Sequence, residues 1–354
     1  METKENAVEI DGSLLEGGGQ VLRTSLALSA ISGKQVLIKN IRASRPKPGL
    51  QPQHLAGVKA IAAICNAVVE GAKPGSAMLS FRPKNVVPSN LIANIGTAGS
   101  ISLLLSQVLL PSLLQKTALR VVGGTNVPFS PPIEFLQEEL FPALKKMGAG
   151  FGLSLNRRGY FPKGNGVVSF ASKPAKFPLK PIKLAEFGEI AFAKIFSHCS
   201  SLPKSVAENQ AVSLKNALSC LGIDFEEHIE CAENSQSIGS GITVFARTTS
   251  GGVLSGSALG AKGIPAEKVG KEAAENLLKE LSGRQPCDSH LADQLIPFMA
   301  LAKGKSEINV SMLSNHCITN IAVVEKFFPV HFSVEGELGN PAKVSVEGIG
   351  FQAK

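Results

Sequence analysis

Apolar and polar positions along this chain follow two periods, and the order in which those periods succeed one another recurs three times. An apolar run of helical spacing comes first, then a short β-like run and a polar loop. An amphipathic helix and two further β-like runs joined by a turn complete the pattern. In the first copy the spacing predicts a helix over residues 20–31, a strand over 36–41 and a loop over 42–52. A second helix over 53–66 and strands near 67–70 and 77–82 follow. The second copy reads as helix 99–114, strand 119–122, loop 123–132, helix 133–147 and strands 151–155 and 166–170. The third reads as helix 291–302, strand 307–312, a loop carrying His316, helix 319–327 and strands 330–335 and 343–347. Equivalent copies related by pseudo-symmetry turn equivalent loops toward a shared centre, so the loops beginning at Arg42, Gly123 and Ser314 are expected to line one cleft.

Between the second and third copies the pattern breaks. A basic, proline-rich stretch over 173–181 has the composition of a linker. Beyond it lie a strand over 190–197, a helix over 203–221, strands over 224–230, 242–248 and 253–258, and a helix over 265–281 with Pro265 at its start and Gly283 past its end. The expected architecture is therefore α+β. Three two-helix, four-stranded units form a large domain, with repeats one and two in 1–180 and repeat three in 284–354, and a smaller α+β domain is inserted at 181–283.

With no Trp, one Tyr and 18 Phe, the cores must rest on aliphatic side chains and Phe. Hydrophobic content of 44% with 18% charged residues is a globular balance and excludes a disordered chain. The net charge of +8 suits a polyanionic partner such as nucleic acid and equally suits plain solubility. The six cysteines form no Cys-x-x-Cys pair, which argues against a zinc site, and a disulfide framework is not expected in a chain of this size. Residues 1–8 are polar and charged, unlike a signal peptide. The longest apolar run, 101–114, is broken by Ser102, Ser106, Gln107, Pro111 and Ser112, so it reads as a buried helix and not as a membrane span. A cytoplasmic protein is expected.

Three loops carry candidate chemistry. Glu16-Gly17-Gly18-Gly19-Gln20-Val21-Leu22-Arg23 follows a strand at 8–11 and opens a helix. Glycines let a phosphate approach the backbone and the helix start offers N–H donors, although a lone glycine triplet is more often a plain turn. Glu16 suits a divalent ion and Arg23 a phosphate oxygen. The loop from Arg42 to His54 puts Arg42, Arg45 and Lys47 within six residues and stiffens them with Pro46 and Pro48, an arrangement that suits a multiply charged phosphate better than a solvated surface. His316 lies just before a predicted helix, where a neutral imidazole can attack a phosphate held by the helix N-terminus. As an isolated residue it reads as a capping or packing histidine before a catalytic one.

Taken together these segments resemble the RNA 3′-terminal phosphate cyclases. The resemblance runs from Asp11-Gly12 and the glycine triplet through Ile41-Arg42-Ala43, Lys47-Pro48-Gly49-Leu50 and Gln53-His54-Leu55. It continues through Gly123-Gly124-Thr125-Asn126, Ala292-Asp293-Gln294-Leu295 and His316 with Thr319-Asn320-Ile321-Ala322-Val323-Val324-Glu325. It implies ATP as cosubstrate, Mg²⁺ or Mn²⁺ as metal and RNA bearing a 3′-terminal phosphate as partner. It also implies attack of His316 on the α-phosphate of ATP, transfer of AMP to the RNA phosphate, and closure to a 2′,3′-cyclic phosphate. Arg23, Arg42, Arg45, Gln53 and His54 would hold phosphates, Glu16 the metal, Asp293 and Gln294 would lie by the nucleotide, and Pro131 would lie against the adenine.

His290 occupies the place where bacterial members commonly carry a tyrosine on the adenine. Gln107, or Ser106 one residue before it, would be the family's helix glutamine. The rival readings are a non-catalytic cyclase-like RNA-processing or ribosome-assembly factor, whose members typically lack this histidine, and an enolpyruvyl transferase with a similar repeat. Oligomeric state stays open, a homodimer being one option.

Overall fold

The computed structural model describes residues 7–353, and among them the chain builds four four-stranded sheets. Residues 1–6 and 354 lie outside this description, so the polar leader expected over 1–8 is covered only at Ala7 and Val8. The first unit runs β1 (Val8–Asp11), α1 (Gly19–Ser32), β2 (Val36–Lys39), α2 (Pro52–Ile64), β3 (Val68–Glu70) and β4 (Leu79–Arg82). Its sheet order is β1-β2-β4-β3, with β1 parallel to β2 and the other pairs antiparallel. The second unit repeats this with β5 (Ser89–Asn94), α3 (Ile101–Leu109), β6 (Thr117–Gly123), α4 (Ile133–Phe135), α5 (Phe141–Lys146), β7 (Gly150–Arg157) and β8 (Gly166–Lys173), in the order β5-β6-β8-β7.

The third unit has an unexpected start. A two-residue strand, β9 (Lys183–Leu184), comes next in the chain and is followed by a separate sheet. That sheet is made of β10 (Ile190–Ser200), β11 (Asp224–Cys231), β12 (Gly239–Thr248) and β13 (Val253–Leu259) in the order β11-β10-β12-β13, with α6 (Lys204–Ala217) and α7 (Ala266–Ser282). The chain then resumes with α8 (Ser289–Leu301), β14 (Lys303–Val310), α9 (Asn315–Phe327), β15 (Phe332–Gly336) and β16 (Ala342–Ile349). β9 pairs in parallel with β14, so the sheet β15-β16-β14-β9 repeats the order of the first two units, with its first strand lying before the detour.

Local chemistry sets the element ends. The strand expected over 36–41 stops at Lys39 because Asn40 and Arg42 take left-handed φ values of +53° and +54°. α1 ends on Gly33, whose φ of +76° lets its N–H reach the Ser29 carbonyl. The helix expected over 99–114 breaks at Pro111 into a 3₁₀ turn. Between α4 and α5 the helix widens into a π-turn, Leu136–Leu140, and the Phe141 N–H reaches back to the Leu136 carbonyl. Pro142 explains this, since it has no N–H to give the Glu138 carbonyl, and Arg247 of β12 supplies the missing donor at 3.1 Å.

One apolar core runs through all three units and includes Val21, Leu22, Leu26 and Leu28 of α1 and Leu295, Ile296 and Met299 of α8. A second core lies under the β10–β13 sheet, where Ile195, Val244 and Leu254 face Leu214 of α6 and Val269, Ala273 and Leu277 of α7. Each large aliphatic side chain so buried contributes about 1.5–3 kcal/mol.

Between the two cores the contacts are polar. The Arg158 guanidinium donates to Glu134 Oε1 at 2.7 Å, to Asn126 Oδ1 at 3.1 Å and to Glu230 Oε2 at 2.8 Å. Tyr160 Oη shares a 2.8 Å hydrogen bond with His198 Nδ1. Burial works against the Glu134 carboxylate, but the Arg158 charge outweighs it and holds the pKa down at about 2. Both members of the Arg158–Glu134 pair are only 4% exposed. Arg158→Met strands a buried carboxylate and should cost about 3–5 kcal/mol in urea unfolding at pH 7, whereas a cost below 1 kcal/mol would mean that water reaches Glu134.

Candidate active site

α9 starts four residues earlier than its periodicity implied. Ser314 is its N-cap, accepting the Cys317 N–H at 2.9 Å, so His316 stands in the helix's first turn and not in the loop before it. That turn is pinned from two sides. From α8, Asp293 Oδ1 accepts from Ser314 Oγ and the Asp293 carbonyl accepts from Asn320 Nδ2 at 2.6 Å. From α1, Gln20 Nε2 donates to the His316 carbonyl at 3.1 Å and Thr24 Oγ1 donates to Asn320 Oδ1 at 2.7 Å. Asp293, expected beside the nucleotide, thus holds the helix that carries His316, and burial pushes its own pKa well above the usual carboxylate range. Sequence reasoning gave no role to Thr24 or Asn320. The available signal was polar Gln20 and Thr24 at i, i+4 on an otherwise apolar helix.

The His316 ring is half-buried, and its two nitrogens differ. Nδ1 is sealed from solvent without a hydrogen-bond partner and faces Glu16 Oε2, also without one, at 3.7 Å. The ring's open edge therefore carries Nε2. Burial, then the charges of Arg23, His290 and Arg45, lower its pKa from 6.5 to about 4, so the ring is neutral at pH 7.

Around it stands a cradle of positive potential. The α1 N-cap, Gly18, offers no side-chain acceptor, so the helix's first N–H groups have no cap. A Cβ on Gly19 would lie 2.5 Å from His54 Nε2 and 2.9 Å from Arg23 Nη1, which shows how closely these groups crowd the backbone. His54 Nδ1 accepts the Gln51 N–H at 3.1 Å, leaving the ring proton on Nε2 and aimed at the α1 terminus. Burial, with Arg23 and Arg42 nearby, drops the His54 pKa to about 3. Arg23 is pulled down to about 10 by burial and by Arg42, and among the described residues it has no carboxylate partner.

Arg42 spends part of its guanidinium on its own loop, donating to the Lys47 carbonyl at 2.5 Å and the Gly49 carbonyl at 3.1 Å. Gly49, at φ +71°, lies backbone to backbone on Gly75, where any Cβ would collide, and this packing fixes the loop. Arg45 pairs with Glu16 Oε1.

The remaining expected residues are less central. Gln53 accepts the Ser100 N–H at 3.3 Å. Gln107 is buried against Gly57 of α2 with its Nε2 unpartnered, while Ser106 is half-exposed. The Pro131 carbonyl accepts from Ser102 Oγ at 2.6 Å. His290 is exposed at the start of α8, edge-on to Phe135 at 6.5 Å, and Gln294 is half-buried further along that helix. Among the described residues no group of three or more His, Cys, Asp or Glu side chains could hold a metal. Glu16 Oε2, buried and unpartnered, is the oxygen available to a divalent ion whose other ligands would be phosphate oxygens and water. No helix among the described residues is long and apolar enough to cross a membrane.

Comparison with known proteins gives the family of the chain. The family model described as RNA 3′-terminal phosphate cyclase matches residues 14–334. A protein of Pyrobaculum aerophilum with that name is 44% identical over 348 residues, covering 98% of this chain and 99% of that protein. Namesakes from Thermococcus gammatolerans, 47% identical over 344 residues, and Pyrococcus abyssi, 46% identical over 342, each cover 96% of this chain and 97% and 98% of their own length. The chain belongs to the RNA 3′-terminal phosphate cyclase family.

Proposed function

We propose that this protein, working in the cytoplasm, uses ATP to convert an RNA 3′-terminal phosphate into a 2′,3′-cyclic phosphate through a covalent histidyl-AMP. The observation that carries this reading is the neutral His316 ring, with Nδ1 sealed and Nε2 open, beside the Arg23 and Arg42 guanidiniums, which among the described residues have no carboxylate partner. His316 Nε2 attacks the α-phosphorus of ATP, a P–N bond forms, the α–β P–O bond breaks, and pyrophosphate leaves. The histidine proton on Nδ1 faces Glu16, which stabilises the cationic phosphoramidate ring as it forms.

Arg23, Arg45, His54 and the free N–H groups of α1 offset the charge gathering on the triphosphate, and Arg42 keeps its loop in place. A divalent ion on Glu16, when bound, would neutralise phosphate charge. An oxygen of the RNA 3′-phosphate then attacks the same phosphorus, displaces His316 and gives RNA-(3′)pp(5′)A. The vicinal 2′-hydroxyl attacks the RNA phosphorus, loses its proton and expels AMP. The base of ATP would lie between Pro131 and His290.

Incubation with α-labelled ATP and a divalent ion should leave acid-labile, alkali-stable label on the chain. His316→Ala should lower that labelling by about 10⁴-fold or more. Full labelling of this variant would move the nucleophile elsewhere, and no labelling of the natural chain would leave a non-catalytic RNA-processing role.

Labelling should hold steady from pH 8 down to about 5 and fall as the ring protonates near pH 4. A midpoint at 6.5 would mean that the ring is solvated. Arg23→Met should slow labelling about 10²–10³-fold while raising the thermal midpoint, because it removes a partly buried cation held beside Arg42. A lowered midpoint would assign Arg23 to the fold and not to the site.

A further inference from the structure

Beside the phosphate cradle lies a second opening that the chemistry above does not use. A cleft of about 430 Å³ is lined by Gln53, Ser100, Leu103, Val127, Phe129 and Phe161, among others. Phe129 is fully exposed and Phe161 is 66% exposed, a costly display for two large apolar side chains on loops of one cleft. Neither is an accident of a loose loop. Phe129 sits at φ +61°, a backbone conformation that bulky residues adopt only when their surroundings impose it.

Those surroundings are visible. Ser130 Oγ donates to the Val127 carbonyl at 3.0 Å, and Ser102 Oγ donates to the Pro131 carbonyl at 2.6 Å. The loop carrying Phe161 is tied to the loop carrying Phe129 by a bridge between Asn126 and Tyr160, and it closes on itself through Gly164 N–H to the Tyr160 carbonyl at 2.7 Å. Lys163, also exposed, lies two residues beyond Phe161.

The cleft and the cradle share one turn of helix. Gln53 and His54 are consecutive in the first turn of α2. Gln53 lines the cleft and accepts the Ser100 N–H, while His54 turns its Nε2 toward Gly19 and Arg23. Consecutive Cα atoms are about 3.8 Å apart, so cleft and cradle adjoin and one nucleotide could set its phosphate in the cradle and its base in the cleft. Single-stranded RNA ends are gripped by stacking their bases on exposed aromatic rings, with cations alongside for the backbone.

We infer that this cleft receives the terminal nucleobase of the RNA, stacked on Phe129 and Phe161 without regard to which base it is. The inference rests on the cyclase reading above. It assigns Phe129 and Phe161 to substrate binding and leaves them no part in the attack on ATP.

The test uses the full chain and a fluorescent single-stranded oligoribonucleotide ending in a 3′-phosphate, with and without a base on the last nucleotide. Phe129→Ala/Phe161→Ala should weaken binding of the intact oligonucleotide about tenfold to hundredfold, as loss of base stacking does. Labelling of His316 by ATP should be unchanged, and Phe129→Trp should retain binding. Removing the terminal base should weaken binding to the natural chain by a similar factor and to the double variant hardly at all.

Equal binding of the intact oligonucleotide by natural and double-variant chains overturns the inference, and so does a loss of the same size with the base-less RNA. A raised KM for ATP with RNA binding intact would give the cleft to the nucleotide instead and likewise overturn it. If the natural chain takes no label from ATP, the cyclase reading fails, while the binding comparison still decides the cleft.

Discussion

Positive charge held together without its anion is the constraint on which this structure turns. Burial, then the nearby Arg42, depresses the Arg23 pKa, and burial, then the charges of Arg23 and Arg42, keeps His54 neutral. Such an arrangement raises the free energy of the empty protein, so the surrounding structure has to prevent it from relaxing. It does so with backbone. The Arg42 loop is locked by contact with Gly75, the α1 terminus is fixed by apolar packing, and His54 is held by its own N-terminal hydrogen bond. Loop, helix and ring are spent on keeping cations where water alone would not leave them.

The His316 ring is under a different constraint. Burial, then the charges of Arg23, His290 and Arg45, keep it uncharged, and a separate set of neighbours orients its helix. Asp293, Asn320, Thr24 and Gln20 form a chain of hydrogen bonds from α8 through α9 to α1. Because α1 belongs to the first repeat and α8 and α9 to the third, the site exists only when the two repeats pack together.

The repeat was legible because it rests on periodicity, which survives loss of residue identity. Helix and strand spacing placed nearly every element of the three units within a few residues. The misses share a cause. β5 has a single three-residue apolar run, Leu91–Ala93, flanked by Ser and Asn, and β9 has only two residues, too few in either case for a period to register. The start of α9 depended on a side-chain cap, and the ends of β2 on left-handed residues, neither of which hydrophobic spacing reports. For the site, motif chemistry found the cations and His316, whereas the polar network behind the ring involves residues that only tertiary packing brings together.

The two-residue strand β9 has a consequence for biosynthesis. It is made well before its partner β14: Ile182, at its edge, hydrogen-bonds Ser306, 124 positions later. A ribosome therefore releases an orphan edge that must wait through the whole excursion before pairing. Ordered closure of that gap requires the excursion to fold early and bring its two ends together, and its separate apolar core gives it the means. A folded detour holds its two ends closer than an open chain of the same length would, and so lowers the loop-closure cost of completing the third sheet, against which the helix of His316 packs.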